Sequence, residues 1–227
     1  MICITQKNHE WGEDMNKIKV IPLIAIILMT LLSFSNLFGI VIAGASVIIG
    51  VIFFFINKIV EKQPFEGSGL DIMSIGANLR NKSIWFWLAM PIIMDAVSIG
   101  ISKLFLPEYI DHVIARTEIF VSFDKMALLL FQLVILALGE EIAWRAFFQK
   151  QLSKAMPIIP VIILSSVLFA FGHLTEGNIL IVSYDIFFVF INSILYGVIF
   201  HKTNNAWIST ISHFSANLFS VIVLVLL

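Results

Sequence analysis

Charge is scarce in this chain. Only 13% of its 227 residues are Asp, Glu, Lys or Arg, whereas a soluble globular domain carries about 25%. With 59% of the residues hydrophobic, that deficit places the protein in a lipid bilayer. Basic runs are also missing. The net charge is −1 and no Lys/Arg-rich stretch occurs, which excludes nucleic acid as a partner. The single cysteine, Cys3, has no companion, so disulfides, thiolate zinc sites and a cysteine nucleophile in the core are excluded. Internal repeats and low-complexity tracts are absent as well.

What is present is long apolar segments. Runs of about 20 residues fall at 20–36, 38–57, 83–103, 126–149, 157–173, 179–200 and 206–227. They predict an all-α polytopic membrane helix bundle of about seven transmembrane helices. Residues 1–19 read as a polar cytoplasmic N-terminus, within which Met15 would also serve as a start. Residues 20–82 read as two membrane helices, turned at Ser35-Asn36, and an amphipathic connector. Residues 83–227 read as the main bundle. Ala43-Gly44-Ala45 resembles a signal-peptidase site, but the apolar stretch before it is too long for a signal core, and an uncleaved anchor is expected. In the connector, Leu70, Ile72, Met73, Ile75 and Leu79 alternate with polar positions over 70–80, which suits a short interfacial helix. The segment 104–124, with Glu108, Asp111, Arg116, Glu118 and Asp124, reads as a solvated loop. With the N-terminus in the cytoplasm, only Lys103, Arg116 and Lys125 of the 14 Lys and Arg fall outside. That bias supports both the count and the direction, and predicts a multi-pass protein of the cell membrane.

Polar residues inside such spans are expensive, and they are few here. Met126 to Phe148 is apolar apart from Gln132, Glu140, Glu141 and Arg145. An acid near the bilayer centre costs roughly 2.5–3.5 kcal/mol on insertion scales, so two adjacent ones point to function. Glu141 and Arg145 are spaced i,i+4 and can pair, while Glu140 is rotated about 100° away and stays available. His213 and Asn217 are likewise i,i+4 and share a face. At about 1.5 Å per residue, Glu140, His173, His213 and Asn217 lie roughly 18, 24, 10 and 16 Å from the cytoplasmic edge. One slab of membrane holds all four. Asp95 and Asp185 are further intramembrane acids that would line the cavity, pair with a histidine or sit near an interface.

Each feature has a bland counterpart. Glu-Glu-x-x-x-Arg alone would serve as an interhelical salt bridge. His173 alone would be a hydrogen-bonded structural histidine, Phe169 a packing residue, and His213 with Asn217 interhelical glue worth about 0.6–2 kcal/mol.

Taken in order, Glu140-Glu141-x-x-x-Arg145, then Ser165-Ser166 with Phe169-x-x-x-His173, then His213-x-x-x-Asn217 resembles the CPBP family. Its members are type II CAAX prenyl endopeptidases and bacteriocin-processing or immunity membrane proteins. The resemblance covers roughly 83–227. Family members often read Glu-Glu-x-x-Phe-Arg-Gly, whereas this chain has Trp144 and Ala146 at the positions flanking Arg145, and many carry an eighth span. The resemblance implies a glutamate-dependent intramembrane endopeptidase without a cofactor. Glu140 and His173 would activate a water, His213 and Asn217 would stabilise the oxyanion, and Glu141 with Arg145 would orient Glu140. The implied substrates are membrane-anchored proteins, lipopeptides or bacteriocin-like peptides.

Other chemistries rank lower. A zinc-protease helix of the His-Glu-x-x-His type is missing, as are a Gly-x-Ser-x-Gly elbow and a paired-aspartate arrangement. Zinc held by Glu140, His173 and His213 is a permitted ligand set, placed below the metal-free mechanism on the family's account. A proton-coupled transporter would use buried Glu and His, but the chain lacks its two-fold repeat. A bacteriocin-immunity or scaffold protein that does not need catalysis is the remaining alternative.

Overall fold

The computed structural model describes residues 18–34, 44–62, 64, 66–118 and 125–226, and these are helical over most of their length. The polar leader with Cys3 and Met15, the Ser35-Asn36 turn, Ala43 and Asp124 lie outside the described residues. In chain order the helices are α1 (Val20–Ser33), α2 (Ala45–Val60), α3 (Ile75–Arg80), α4 (Lys82–Phe105) and α5 (Glu108–Glu118). They continue as α6 (Met126–Leu152), α7 (Ile158–Phe171), α8 (Ile179–Thr203) and α9 (Ala206–Leu226). No strand occurs among the described residues. By length and apolarity α4, α6, α8 and α9 can each cross a membrane, and α1, α2 and α7 are shorter apolar helices. The protein is an all-α membrane protein.

Local chemistry sets the helix ends. Asn81 accepts from the Ser83 N–H at 3.1 Å and opens α4. Asn178 accepts from the Leu180 N–H at 2.9 Å and opens α8. Between α8 and α9, Asn204 takes a left-handed conformation and Asn205 accepts from the Trp207 N–H at 2.9 Å. Each polar side chain satisfies a donor that the helix itself leaves without a partner.

Three expectations change. The segment 104–124 is not a bare loop: 108–118 forms α5, which buries Tyr109 and half-buries His112, Val113 and Arg116. Within 70–80 only Ile75–Arg80 is helical. The Asp71 side chain accepts from the Met73 N–H at 2.9 Å and holds the preceding residues in a turn. His173 stands beyond the end of α7, on the following turn.

The centre of the molecule is the C-terminal part of α6. From Ile142 to Gln149 the backbone is π-helical and every side chain is buried. A π segment widens the helix and frequently marks a functional site. This one is enclosed by α2, α7, α8 and α9. On the α2 side the approach is tight, since a Cβ on Gly50 would stand 2.5 Å from the Ala143 Cβ.

Candidate active site

Glu140 and Glu141 end the regular α-helical part of α6, and their environments differ sharply. The Glu141 side chain is 1% exposed, whereas that of Glu140 is 20% exposed. Adjacent residues on a helix point about 100° apart, so one carboxylate enters the bundle and the other reaches its edge.

Arg145 anchors Glu141. Its Nε stands 3.6 Å from Glu141 Oε2. Nη1 donates to Ser165 Oγ on α7 at 3.3 Å, and Nη2 donates to the carbonyl and hydroxyl oxygens of Ser193 on α8 at 2.9 and 2.7 Å. The guanidinium also lies 5.7 Å from the Phe169 ring centroid. A fully buried arginine is tolerable only with its donors engaged on several sides. Here it ties three helices to one carboxylate.

His213, on α9, meets both glutamates. Its Nδ1 donates to Glu141 Oε1 at 3.0 Å, and its Nε2 stands 3.5 Å from Glu140 Oε2. The Tyr196 ring stacks on the imidazole with centroids 4.3 Å apart and planes at 17°. Two carboxylates and one guanidinium leave a single negative charge, and the group balances when His213 carries a proton on both nitrogens.

His173 approaches from the turn after α7. Its backbone N–H donates to Ala170 O at 2.9 Å and its Nδ1 to Phe169 O at 2.9 Å. A carbonyl can only accept, so this contact leaves Nε2 with its lone pair, the arrangement a base needs. The Phe169 ring packs beside both imidazoles, 4.5 Å from that of His173 and 6.2 Å from that of His213.

The structure therefore gathers Glu140, Glu141, Arg145 and His213 into direct contact, with His173 packed on the Phe169 ring that also neighbours His213. Asn217 is half-buried one turn beyond His213 and has no hydrogen-bond partner among the described residues. Residues the sequence left unassigned complete the setting. Ser193 and Tyr196 are single positions in an apolar helix and carry no sequence signal, whereas Ser165 stands inside the quoted Ser-Ser motif. Asp95 accepts from Asn192 Nδ2 at 2.5 Å and Ser220 Oγ at 2.7 Å. Asp185 pairs with Arg116 at 3.1 Å and His112 at 3.5 Å on α5.

Among the described residues no group of three or more His, Cys, Asp or Glu side chains is placed to hold a metal ion, so the zinc set of Glu140, His173 and His213 is not assembled in this geometry. No curated protein and no solved structure matches the chain. Residues 122–219 match the family model described as type II CAAX prenyl endopeptidase Rce1-like. The matched segment carries both glutamates, Arg145, both site histidines and Asn217, and is similar to that family over this span.

Proposed function

We propose that the protein is a glutamate-type intramembrane endopeptidase that hydrolyses peptide bonds of membrane-anchored proteins or peptides. The observation that carries this reading is the asymmetry of the adjacent carboxylates. Glu141 is sealed against Arg145, and Glu140 reaches the edge of the bundle beside a histidine donor. The general base and the oxyanion donor of a hydrolase need that proximity.

In this mechanism Glu140, assisted by the lone pair of His173 Nε2, takes a proton from water. The oxygen attacks the scissile carbonyl carbon, and the developing oxyanion accepts from His213 Nε2–H and the Asn217 amide. Collapse breaks the C–N bond, and the proton held by Glu140 passes to the leaving amine. Glu141 and Arg145 touch no reacting atom; they hold His213 and, through it, the site. The domain family makes a CAAX-type, C-terminally lipidated peptide the first substrate class to try. The protein sits in the cell membrane with its N-terminus cytoplasmic, as the lysine and arginine distribution argues.

The test reconstitutes wild type and Glu140→Ala in liposomes with single-span and lipopeptide reporters, reading fragment masses. Loss of a general base lowers the cleavage rate by about 10²–10⁴-fold. Equal cleavage by both proteins removes Glu140 from the mechanism. Proton flux that changes in Glu140→Gln, with no peptide product, would replace proteolysis by transport. Chelators are expected to leave cleavage unchanged; their abolishing it, with zinc co-purifying at one per chain, would replace the metal-free mechanism.

A further inference from the structure

The stretch Asn192 to Gly197 of α8 organises the site from behind. Asn192 donates to Asp95 on α4, Ser193 accepts from Arg145 on α6, Tyr196 lies flat on His213 of α9, and Gly197 O accepts from Gln149 Nε2 at 3.0 Å. Three of these contacts are hydrogen bonds that tie α8 to its neighbours. The Tyr196 contact differs, because it constrains the plane of an imidazole.

That plane decides what His213 can do. The hydrogen bond from Nδ1 to Glu141 opposes rotation about the Cβ–Cγ bond, but it is one 3.0 Å contact acting on a torsion that is broad and roughly two-fold for histidine. A flip of the ring would trade the nitrogens for carbons and take Nε2 away from Glu140. The aromatic face of Tyr196, 4.3 Å away and nearly parallel, blocks that rotation on one side. Phe169, edge-on at 6.2 Å and 72°, bounds another. Tyr196 is itself 2% exposed and has no room to swing aside.

We propose that Tyr196 is a positioning residue for the hydrolytic site, whose ring face locks the His213 imidazole so that Nδ1 meets Glu141 while Nε2 is presented beside Glu140. The function belongs to the ring and not to the hydroxyl. Tyr196→Phe preserves it, and an aliphatic side chain of similar bulk does not. Its kinetic consequence rests on the proteolytic reading above; its structural consequence does not.

The experiment uses the full chain in nanodiscs, with histidines labelled with ¹⁵N and ¹³C and the His213 signals identified by their loss in His213→Gln. In wild type and Tyr196→Phe, the His213 ring protons are expected upfield under the ring current of the stacked aromatic, with a protected Nδ1 proton bonded to Glu141. In Tyr196→Met and Tyr196→Leu both signatures are expected to vanish. With the reporter peptide, these two aliphatic variants should lose about tenfold in kcat with KM unchanged, the mark of a group that is present but misaimed. Persistence of the protected Nδ1 proton in an aliphatic variant overturns the proposal. So does loss in Tyr196→Phe equal to that in Tyr196→Met, which would make the hydroxyl the active part. Should neither aliphatic variant fold, the wild-type ring-current shift decides, and its absence sinks the stack. If wild type cleaves nothing, proteolysis fails while the spectra still decide the role of Tyr196.

Discussion

Arg145 is the residue on which the site's electrostatics turn. Its guanidinium reaches Glu141, Ser165 and Ser193 at once, in directions that suit a planar fork. A lysine ammonium is a point charge and cannot serve all three. Arg145→Ala is expected to cost about 3–5 kcal/mol, because the Glu141 carboxylate stays buried with its main counter-charge gone. Arg145→Lys is expected to fall between that variant and wild type. Thermal unfolding in detergent reads both, and an Arg145→Ala protein as stable as wild type would refute the pairing. The Glu141–Arg145 spacing was visible in the sequence, as was the common depth of Glu140, His173, His213 and Asn217. What one sequence does not contain is azimuth across the bundle. Depth puts His213 in the right slab, but nothing in the chain says that it meets both glutamates, or that Phe169 packs beside both it and His173.

At the scale of elements the π segment of α6 is the informative case. The sequence predicts regular α geometry for Met126 to Phe148, because a π widening has no periodic mark of its own in an apolar run. The neighbour betrays it: Gly50 of α2 sits where any side chain would strike Ala143. In a bilayer, helices associate through close packing of small residues more than through the hydrophobic effect. Gly50→Val is therefore expected to push α2 off α6, at a cost of about 1–3 kcal/mol for overpacking, while Gly100→Val, where an added Cβ meets nothing, is expected to be neutral in space-filling terms. Comparing the two unfolding midpoints checks this, and equal losses would show helix propensity at work instead of contact. Ala146 fits the same account. It stands where the family often has glycine, and Gly69 faces it with a Cβ position only 3.3 Å away. The helix α5 is hidden for a different reason. Its charges resemble those of a solvated loop, although Tyr109, His112, Val113 and Arg116 recur at helical spacing and form the face that packs.

At the scale of the whole molecule, the segment 122–219 that the family model matches is not a self-sufficient body. Its polar groups are satisfied from outside it. The Ala206 N–H donates to Gly69 O at 2.7 Å, Asn205 Nδ2 donates to Asp71 O at 2.7 Å, and Ser212 Oγ donates to Leu88 O at 3.0 Å. Asp185, inside the segment and buried, depends on Arg116 and His112 of α5. The π segment shares one buried cluster with Ala25, Met29 and Phe54 of α1 and α2. Excising 122–219 would expose these donors to lipid, where each unsatisfied group costs several kcal/mol. The isolated segment is therefore expected to aggregate or to elute polydisperse in detergents that hold the full chain monodisperse. Arg116→Ala in the full chain is a graded version of the same cut, leaving the Asp185 carboxylate buried with His112 alone. The variant is expected to lose about 3 kcal/mol, and the loss should be smaller when Asp185→Asn is already present. A double-mutant cycle on thermal unfolding measures that coupling, and simple additivity would show that α5 does not hold α8 through this pair.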